Sequence, residues 1–227
     1  MHPRHFASTR PDHPAAIMKT GEICTFGELE AIANRGANLL RALGLKSGDM
    51  LALMIDNSLA YFDLFWAAQR SGLFLVPVPT RLTAGEAKYI LHNSEARVFV
   101  CSAADSDVAQ QILADRPDVP GVTEFFAVNG AVPGYRDWYG EIAGLPDTPI
   151  AGEEAGSHMA HSSGTTGRPK GLRHPLRGGP ADGPSQLDAQ WAKAMAYVRP
   201  RTISPRRRCT TPRHWYAAHW LSAAPQR

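Results

Sequence analysis

The chain has 227 residues, an apolar content of 44% and a net charge of +3, which is enough sequence for one large domain or two small ones with a packed core. No apolar run reaches the length of a membrane span, and the amino-terminal segment lacks the apolar stretch of a secretory signal, so we expect neither feature. The odd number of cysteines (Cys24, Cys101 and Cys209), without metal-site spacing, indicates reduced thiols and a cytoplasmic location.

The first predicted element is an amphipathic helix over residues 25–43. Thr25 is the expected N-cap, and Glu28, three residues later, completes a capping box. Apolar side chains recur on one face at helical spacing, and Gly44 marks the expected end of the helix. A Gly–Asp turn then leads to an apolar run, Met50 to Ile55, which predicts a buried strand.

A second helix is predicted between Ser58, its expected N-cap, and Gly72. Because its residues are apolar on most faces, we expect it to be buried between layers. The following LFLVPVP predicts a second strand, which Pro77 and Pro79 place at a sheet edge or at a strand end.

Thr83 and Glu86 form another capping box, which predicts a helix that continues to about Asn93. Residues Arg97 to Cys101 predict a third strand, and TEFFAV, residues Thr123–Val128, predicts a weaker one. The alternation of helices and strands favours an α/β fold with a mostly parallel sheet.

A polar segment without acidic residues, HSSGTTGRPKG, begins where a strand is predicted to end at Met159 to His161. Glycines let a backbone approach a ligand closely, and hydroxyls and a lysine bind phosphate oxygens. The segment is not a Walker A loop, because Lys170 follows Pro169, and Pro169 opposes the helix on which a Walker lysine lies. By composition the segment is a phosphate-binding loop or a linker. The candidate phosphate-binding residues are Ser162, Ser163, Gly164, Thr165, Thr166, Gly167 and Lys170.

The ordered pattern SSGTTGRPKG resembles the phosphate-loop signature of the AMP-forming adenylating enzymes, the family of acyl-CoA synthetases, luciferases and peptide-synthetase adenylation domains. TFGELEAIANRGANLLRALGLKSGDMLALMIDNS and AYFDLFWAAQRSGLFLVPVPTRLTAGEAKYILHNSEARVFVC are similar to the preceding part of that family. The resemblance covers about residues 10–172 and is nearest to fatty-acid and other carboxylate–CoA ligases. His161 stands where the family often has Tyr or Phe, and we expect its ring to be a structural substitute.

The resemblance implies a two-step reaction. A carboxylic acid, expected to be a fatty acid, attacks the α-phosphate of ATP, pyrophosphate leaves, and the thiol of CoA then accepts the acyl group. The loop would hold the β- and γ-phosphates through Lys170, Thr165 and Thr166, with Mg²⁺. Family members are far longer and carry most of their active site after this loop, so we assign no catalytic residue and no metal ligand here. We expect weak or no adenylation by this chain.

Charge is distributed unevenly along the chain. Residues 1–172 carry 14 basic and 19 acidic residues, whereas residues 173–227 carry 10 basic and 2 acidic residues. We assign 1–172 to the amino-terminal portion of an AMP-dependent synthetase/ligase domain that includes the phosphate loop. Residues 173–197 are assigned to a continuation of that domain, and residues 198–227 to a basic, disordered tail.

The tail has the character of out-of-frame translation. A shifted frame reads the third base of each codon together with the first two bases of the next codon. Between Ser204 and Trp215, this shifted frame permits the sequence SPAPLYHAAPL. That sequence resembles a segment that follows the phosphate loop in fatty-acid-type ligases. We therefore hypothesise a frameshift between about Met195 and Arg201. Two alternatives remain: a non-catalytic ATP- or phosphate-binding module, and a protein that binds nucleic acid through the basic tail.

Overall fold

The structure is a computed structural model that describes residues 2–162, 169–176 and 178–183. The predicted boundary at residue 198 and the hypothesised frameshift lie outside these residues. The described residues divide into two compact bodies, one made of residues 2–28 with 182–183, the other of the described part of residues 29–181. In the described part, no helix combines the length and the apolar character that crossing a bilayer requires.

The helices are α1 (Arg4–Ala7), α2 (Phe26–Ala42), α3 (Leu59–Arg70), α4 (Ala84–Ser94), α5 (Ser106–Ala114) and α6 (Trp138–Ile142). The strands are β1 (Pro14–Ile17), β2 (Ile23–Thr25), β3 (Met50–Met54), β4 (Phe74–Pro77), β5 (Ala96–Ser102), β6 (Glu124–Val128), β7 (Arg136–Asp137), β8 (Ser157–His161) and β9 (Gly171–Arg173).

The first body contains an antiparallel β1–β2 hairpin and the start of α2. The predicted capping box is confirmed: Thr25 Oγ1 accepts from the Glu28 backbone N at 3.2 Å, and Glu28 Oε2 accepts from the Thr25 backbone N at 2.8 Å. These hydrogen bonds favour the charged carboxylate and lower the pKa of Glu28. At the other end, Gly44 has a φ of +78°, as expected of a residue that ends a helix.

The second body is built on one sheet with the strand order β7-β6-β5-β3-β4-β8-β9. Neighbouring strands from β7 to β8 are parallel, and only β9 is antiparallel to its neighbour. The predicted α/β fold with a mostly parallel sheet is therefore confirmed. The predicted strand in TEFFAV is confirmed as β6, which pairs with β5.

Helices cover both faces of this sheet. Leu51 and Leu53 of β3 pack towards α2, α3 and α6, whereas Met50, Ala52 and Met54 pack towards α4 and α5. All of β3 is buried, which explains why its sequence is an unbroken run of apolar residues. Burial of a leucine side chain contributes about 1.5–3 kcal/mol, so the middle strands form the core of this body.

Two expectations need correction. The edge position offered for LFLVPVP is wrong, because β4 pairs with both β3 and β8; the strand-end alternative is right, since Pro77 is the last residue of β4. Helix α3 has no exposed residue, but its burial is incomplete, because Phe65 and Trp66 are only half-buried. Ser58 takes the N-cap position without a side-chain capping bond, because its hydroxyl faces Asn129 Nδ2 at 3.0 Å.

Candidate phosphate-binding site

The candidate loop connects two antiparallel strands. Strand β8 leads into it and β9 leads out, with His161 opposite Gly171. The base of the hairpin is closed by the Ser162 backbone N, which donates to the Lys170 carbonyl oxygen at 3.0 Å. The strand end predicted at Met159 to His161 is confirmed as the end of β8, whereas the return strand β9 was missed because it has only three residues.

Only the two ends of the loop belong to the described residues. Ser162 and Lys170 are exposed, and their backbones meet across the base of the hairpin. The other candidates, Ser163, Gly164, Thr165, Thr166 and Gly167, lie outside the described residues, so their assignment stays a prediction.

The hairpin lies at the carboxyl end of a parallel strand. Strand β8 runs parallel to β4, with Phe74 opposite Ser157 and Leu75 opposite His158. In open α/β sheets, ligands bind outside the carboxyl ends of the strands. The loop therefore leaves the sheet at the edge where this fold places its ligands, and the exposed ammonium of Lys170 is available to an anion there.

Helix α4 contacts both ends of the loop. The Tyr89 hydroxyl donates to the Pro169 carbonyl oxygen at 3.1 Å. Four residues further along α4, Asn93 Oδ1 lies 3.1 Å from His161 Nε2. Sequence reasoning missed both residues. The capping box fixes the helical frame and so places positions 89 and 93 on one face, but no local sequence signal identifies hydrogen-bond partners that lie 80 and 68 residues away along the chain.

The imidazole of His161 lies in an environment that disfavours its charged form. The ring is half-buried, and burial lowers its pKa. His161 Nε2 lies 3.1 Å from Asn93 Oδ1, and Nδ1 is buried without a hydrogen-bond partner among the described residues. A ring fixed in this way at the entry of the loop favours a structural role, as expected from its replacement of Tyr or Phe.

Gly171 has no room for a side chain. A Cβ there would fall on the Met159 methyl group and would lie 3.1 Å from Asn93 Oδ1 and 3.2 Å from His161 Nε2. A side chain at this position would therefore press on the Asn93–His161 pair and would force the Met159 methyl group to move. This is a packing reason for a residue that sequence analysis treated only as part of the phosphate-loop pattern.

Within the described ranges, no three His, Cys, Asp or Glu side chains converge as metal ligands. Cys24 and Cys101 are buried free thiols, and Cys209 lies outside the described residues. Burial raises the pKa of Cys101 to about 12, so this thiol is protonated at neutral pH and is a poor nucleophile.

The chain belongs to the AMP-binding enzyme family, whose model matches residues 3–179. It is 35% identical over 173 residues to the long-chain-fatty-acid–CoA ligase FadD13 of Mycobacterium tuberculosis, covering 75% of this chain and 33% of the relative. It is 31% identical over 167 residues to the 3-hydroxybenzoate–CoA ligase of Aromatoleum, covering 72% of this chain and 31% of that relative.

A similar solved structure is the inhibitor-bound amino-terminal domain of FACL13 from Mycobacterium tuberculosis, with a TM-score of 0.67 and 30% identity over 76% of this chain and 42% of that one. The predicted resemblance to acid–CoA ligases is confirmed. The chain spans about a third of the length of the curated relatives it matches.

Proposed function

We propose that this chain carries the ATP-phosphate-binding part of an acid–CoA ligase, which activates a carboxylic acid as its acyl-adenylate. The observation that carries the proposal is the SSGTTGRPKG segment, whose ends are joined as a β8–β9 hairpin with Lys170 exposed at the carboxyl end of the sheet. A hydroxyl- and glycine-rich connection closed at its base surrounds an anion with backbone N–H and O–H donors.

In this proposal the loop binds the β- and γ-phosphates, which leave as pyrophosphate when the carboxylate attacks the α-phosphate. Lys170 neutralises charge that develops on the leaving group, and the hydroxyls of Ser162, Thr165 and Thr166 donate to its oxygens. Mg²⁺ enters as the counterion of ATP, and the ligase then transfers the acyl group to the thiol of CoA. The contribution of the loop is positioning and charge stabilisation, with no covalent step.

The acid is proposed to be a fatty acid, because the relative at 35% identity is named for long-chain fatty acids. An aromatic acid is the competing class, since another relative is named for 3-hydroxybenzoate. The matched residues span about a third of those relatives, so we expect a polypeptide of these 227 residues to bind nucleotide phosphates without completing adenylation. A cytoplasmic location is proposed on the two buried free thiols.

Titration calorimetry of the 227-residue chain with pyrophosphate and with MgATP tests the proposal. Lys170→Ala should weaken binding about tenfold or more, because charge-assisted contacts to phosphate are strong. Lys46→Ala, which removes another exposed lysine of the same body, is the matched control and should bind as the wild type does. Absence of binding by the wild type, or equal loss in both variants, would refute a phosphate site at this loop.

ATP–pyrophosphate exchange with a panel of fatty and aromatic acids distinguishes the remaining alternatives. Robust exchange by the 227-residue chain would contradict the expectation that it does not complete adenylation. Binding without exchange is also the behaviour of a non-catalytic phosphate-binding module. Resequencing the gene across codons 195–201 distinguishes such a module from a chain that derives from a ligase. If a one-base shift there restores ligase motifs downstream, the chain derives from a ligase. Salt-dependent DNA binding that is lost on truncation at residue 198 would favour the nucleic-acid alternative.

A further inference from the structure

We infer that Tyr89 and Asn93 of α4 are positioning residues, which hold the two ends of the phosphate loop at a fixed separation so that its donors converge on phosphate. The inference rests on the proposed phosphate-binding function. Tyr89 holds the exit of the loop through the Pro169 carbonyl oxygen at 3.1 Å, and Asn93 holds its entry through His161 Nε2 at 3.1 Å.

The two contacts are one helical turn apart. Side chains four residues apart on a helix lie about 5–6 Å from each other on one face, and the two ends of a hairpin are separated by a similar distance. One face of α4 therefore matches the width of the hairpin base. Pro169 has no N–H, so its carbonyl oxygen is the backbone group through which a neighbour can hold it.

Helix α4 is itself held firmly in place. Its amino end is closed by the Thr83–Glu86 capping box, and one side packs into the core through Ala87, Ile90 and Leu91. On its outer side, Lys88 Nζ lies 2.7 Å from a carboxylate oxygen of each of two aspartates, Asp115 and Asp118. A helix anchored to the sheet at its back and to the following segment at its side provides a fixed reference for the loop.

Bracing of this kind affects ligand binding through conformational entropy. Glycine has more backbone freedom to lose than other residues, and SSGTTG places two glycines between Ser162 and Pro169. Fixing the ends before the ligand arrives reduces the ordering that binding must impose, which raises affinity without any contact to the ligand. A Cβ at Gly171 would meet Asn93 and His161, so the backbone of the opposite strand packs closely against the entry contact.

The test compares Tyr89→Phe with Tyr135→Phe in the 227-residue chain. Each variant removes one hydroxyl that donates to a backbone carbonyl, at Pro169 and at Ala109 respectively, and both tyrosines pack on the same face of the sheet. Tyr89→Phe should weaken pyrophosphate binding about three- to tenfold, the factor that the loss of one hydrogen bond gives. Tyr135→Phe should leave the affinity within twofold even where the unfolding temperature falls equally.

A double-mutant cycle tests the entry contact. Asn93→Ala and His161→Ala remove the same hydrogen bond from opposite ends, so each should weaken binding about threefold or more. The double variant should be no weaker than the poorer single variant, because the two side chains act as one unit. Additive losses would show that the two side chains act separately and would overturn the role given to Asn93.

Trypsin cleavage after Lys170 provides a readout without ligand. Cleavage there requires local opening of the hairpin end, so Tyr89→Phe and Asn93→Ala should be cut several-fold faster than Tyr135→Phe. If the wild type binds pyrophosphate and Lys170→Ala weakens it, but Tyr89→Phe and Asn93→Ala match Tyr135→Phe in both assays, the positioning inference is wrong and the proposed function stands. If the wild type fails to bind, the proposed function fails and the inference falls with it.

Discussion

Arg70 of α3 and Glu30 of α2 form a two-point ion pair in the interior of the second body. Arg70 Nη1 lies 2.9 Å from Glu30 Oε1 and Nη2 lies 2.8 Å from Glu30 Oε2. The side chain of Arg70 has no exposed surface, and that of Glu30 is 15% exposed. The guanidinium also contacts Asn34 Oδ1 and the Trp66 carbonyl oxygen. One charged group thereby joins α2 to α3.

Removal of one partner of this pair should destabilise the protein strongly. Arg70→Met removes the guanidinium and leaves the nearly buried carboxylate of Glu30 without this ion-pair partner, which costs about 3–5 kcal/mol. Urea unfolding at pH 7 measures the change. Arg136→Ala is the control, because Arg136 pairs with Glu124 and Glu141 at 41% side-chain exposure, and exposed ion pairs contribute about 0–1 kcal/mol. Similar losses of unfolding free energy in Arg70→Met and Arg136→Ala would show that burial does not determine the strength of the Arg70–Glu30 ion pair.

Asp63 should make the protein less stable as the pH rises. Burial raises the pKa of Asp63 to about 6, although the Tyr139 hydroxyl donates to its carboxyl group at 2.8 Å. Because the folded-state pKa lies above the unfolded value, the contribution of Asp63 is present below about pH 4 and is lost as the pH rises through about 6. Asp63→Asn should therefore be stabilised relative to the wild type at pH 7.5 by about 2 kcal/mol more than at pH 4.5.

Chemical denaturation of both proteins across that pH range measures the difference. Tyr139→Phe provides a second check, because the Tyr139 hydroxyl lowers the pKa of Asp63. Its removal should shift the loss of stability to higher pH. If the free energies of unfolding of Asp63→Asn and the wild type differed by the same amount at all pH values, the raised pKa of Asp63 would be contradicted.

The contribution of His161 to stability should change with pH in the direction opposite to that of Asp63. Burial lowers its pKa in the folded state, so its contribution to stability is present above the unfolded value of about 6.5 and is lost as the pH falls below it. The stability of the wild type relative to His161→Phe should therefore decrease from pH 7.5 to pH 5. Paired unfolding curves at several pH values measure this trend, and an unchanged or increasing difference would contradict it.

Gly171→Ala and Gly85→Ala should have opposite effects on stability. At Gly171 a Cβ would press on Met159, Asn93 and His161, whereas at Gly85, on helix α4, a Cβ would have nothing within 4 Å. Overpacking costs about 1–3 kcal/mol, and alanine is favoured over glycine in a helix by about 0.5–1 kcal/mol. Thermal unfolding should show a lower unfolding temperature for Gly171→Ala and an equal or higher one for Gly85→Ala. A neutral Gly171→Ala would mean that the Met159 side chain moves away without cost.

Local sequence signals predicted much of this fold. The two capping boxes, at Thr25 and Thr83, are confirmed because a cap depends on residues three positions apart. Strand β3 was predicted because burial on both faces requires an unbroken apolar run. The two-residue strand β7 and the three-residue strand β9 were missed, since so short a segment has no periodicity of its own.

The sequence by itself determined the family, the alternation of elements and the polar loop, because each of these is encoded in consecutive residues. Tertiary structure alone decided that β4 is an interior strand, that Arg70 is buried against Glu30 and that α4 holds both ends of the loop. Each of these features depends on at least one partner that lies 40 or more residues away along the chain. No local pattern specifies such partners, because they meet only when the helices pack on the sheet.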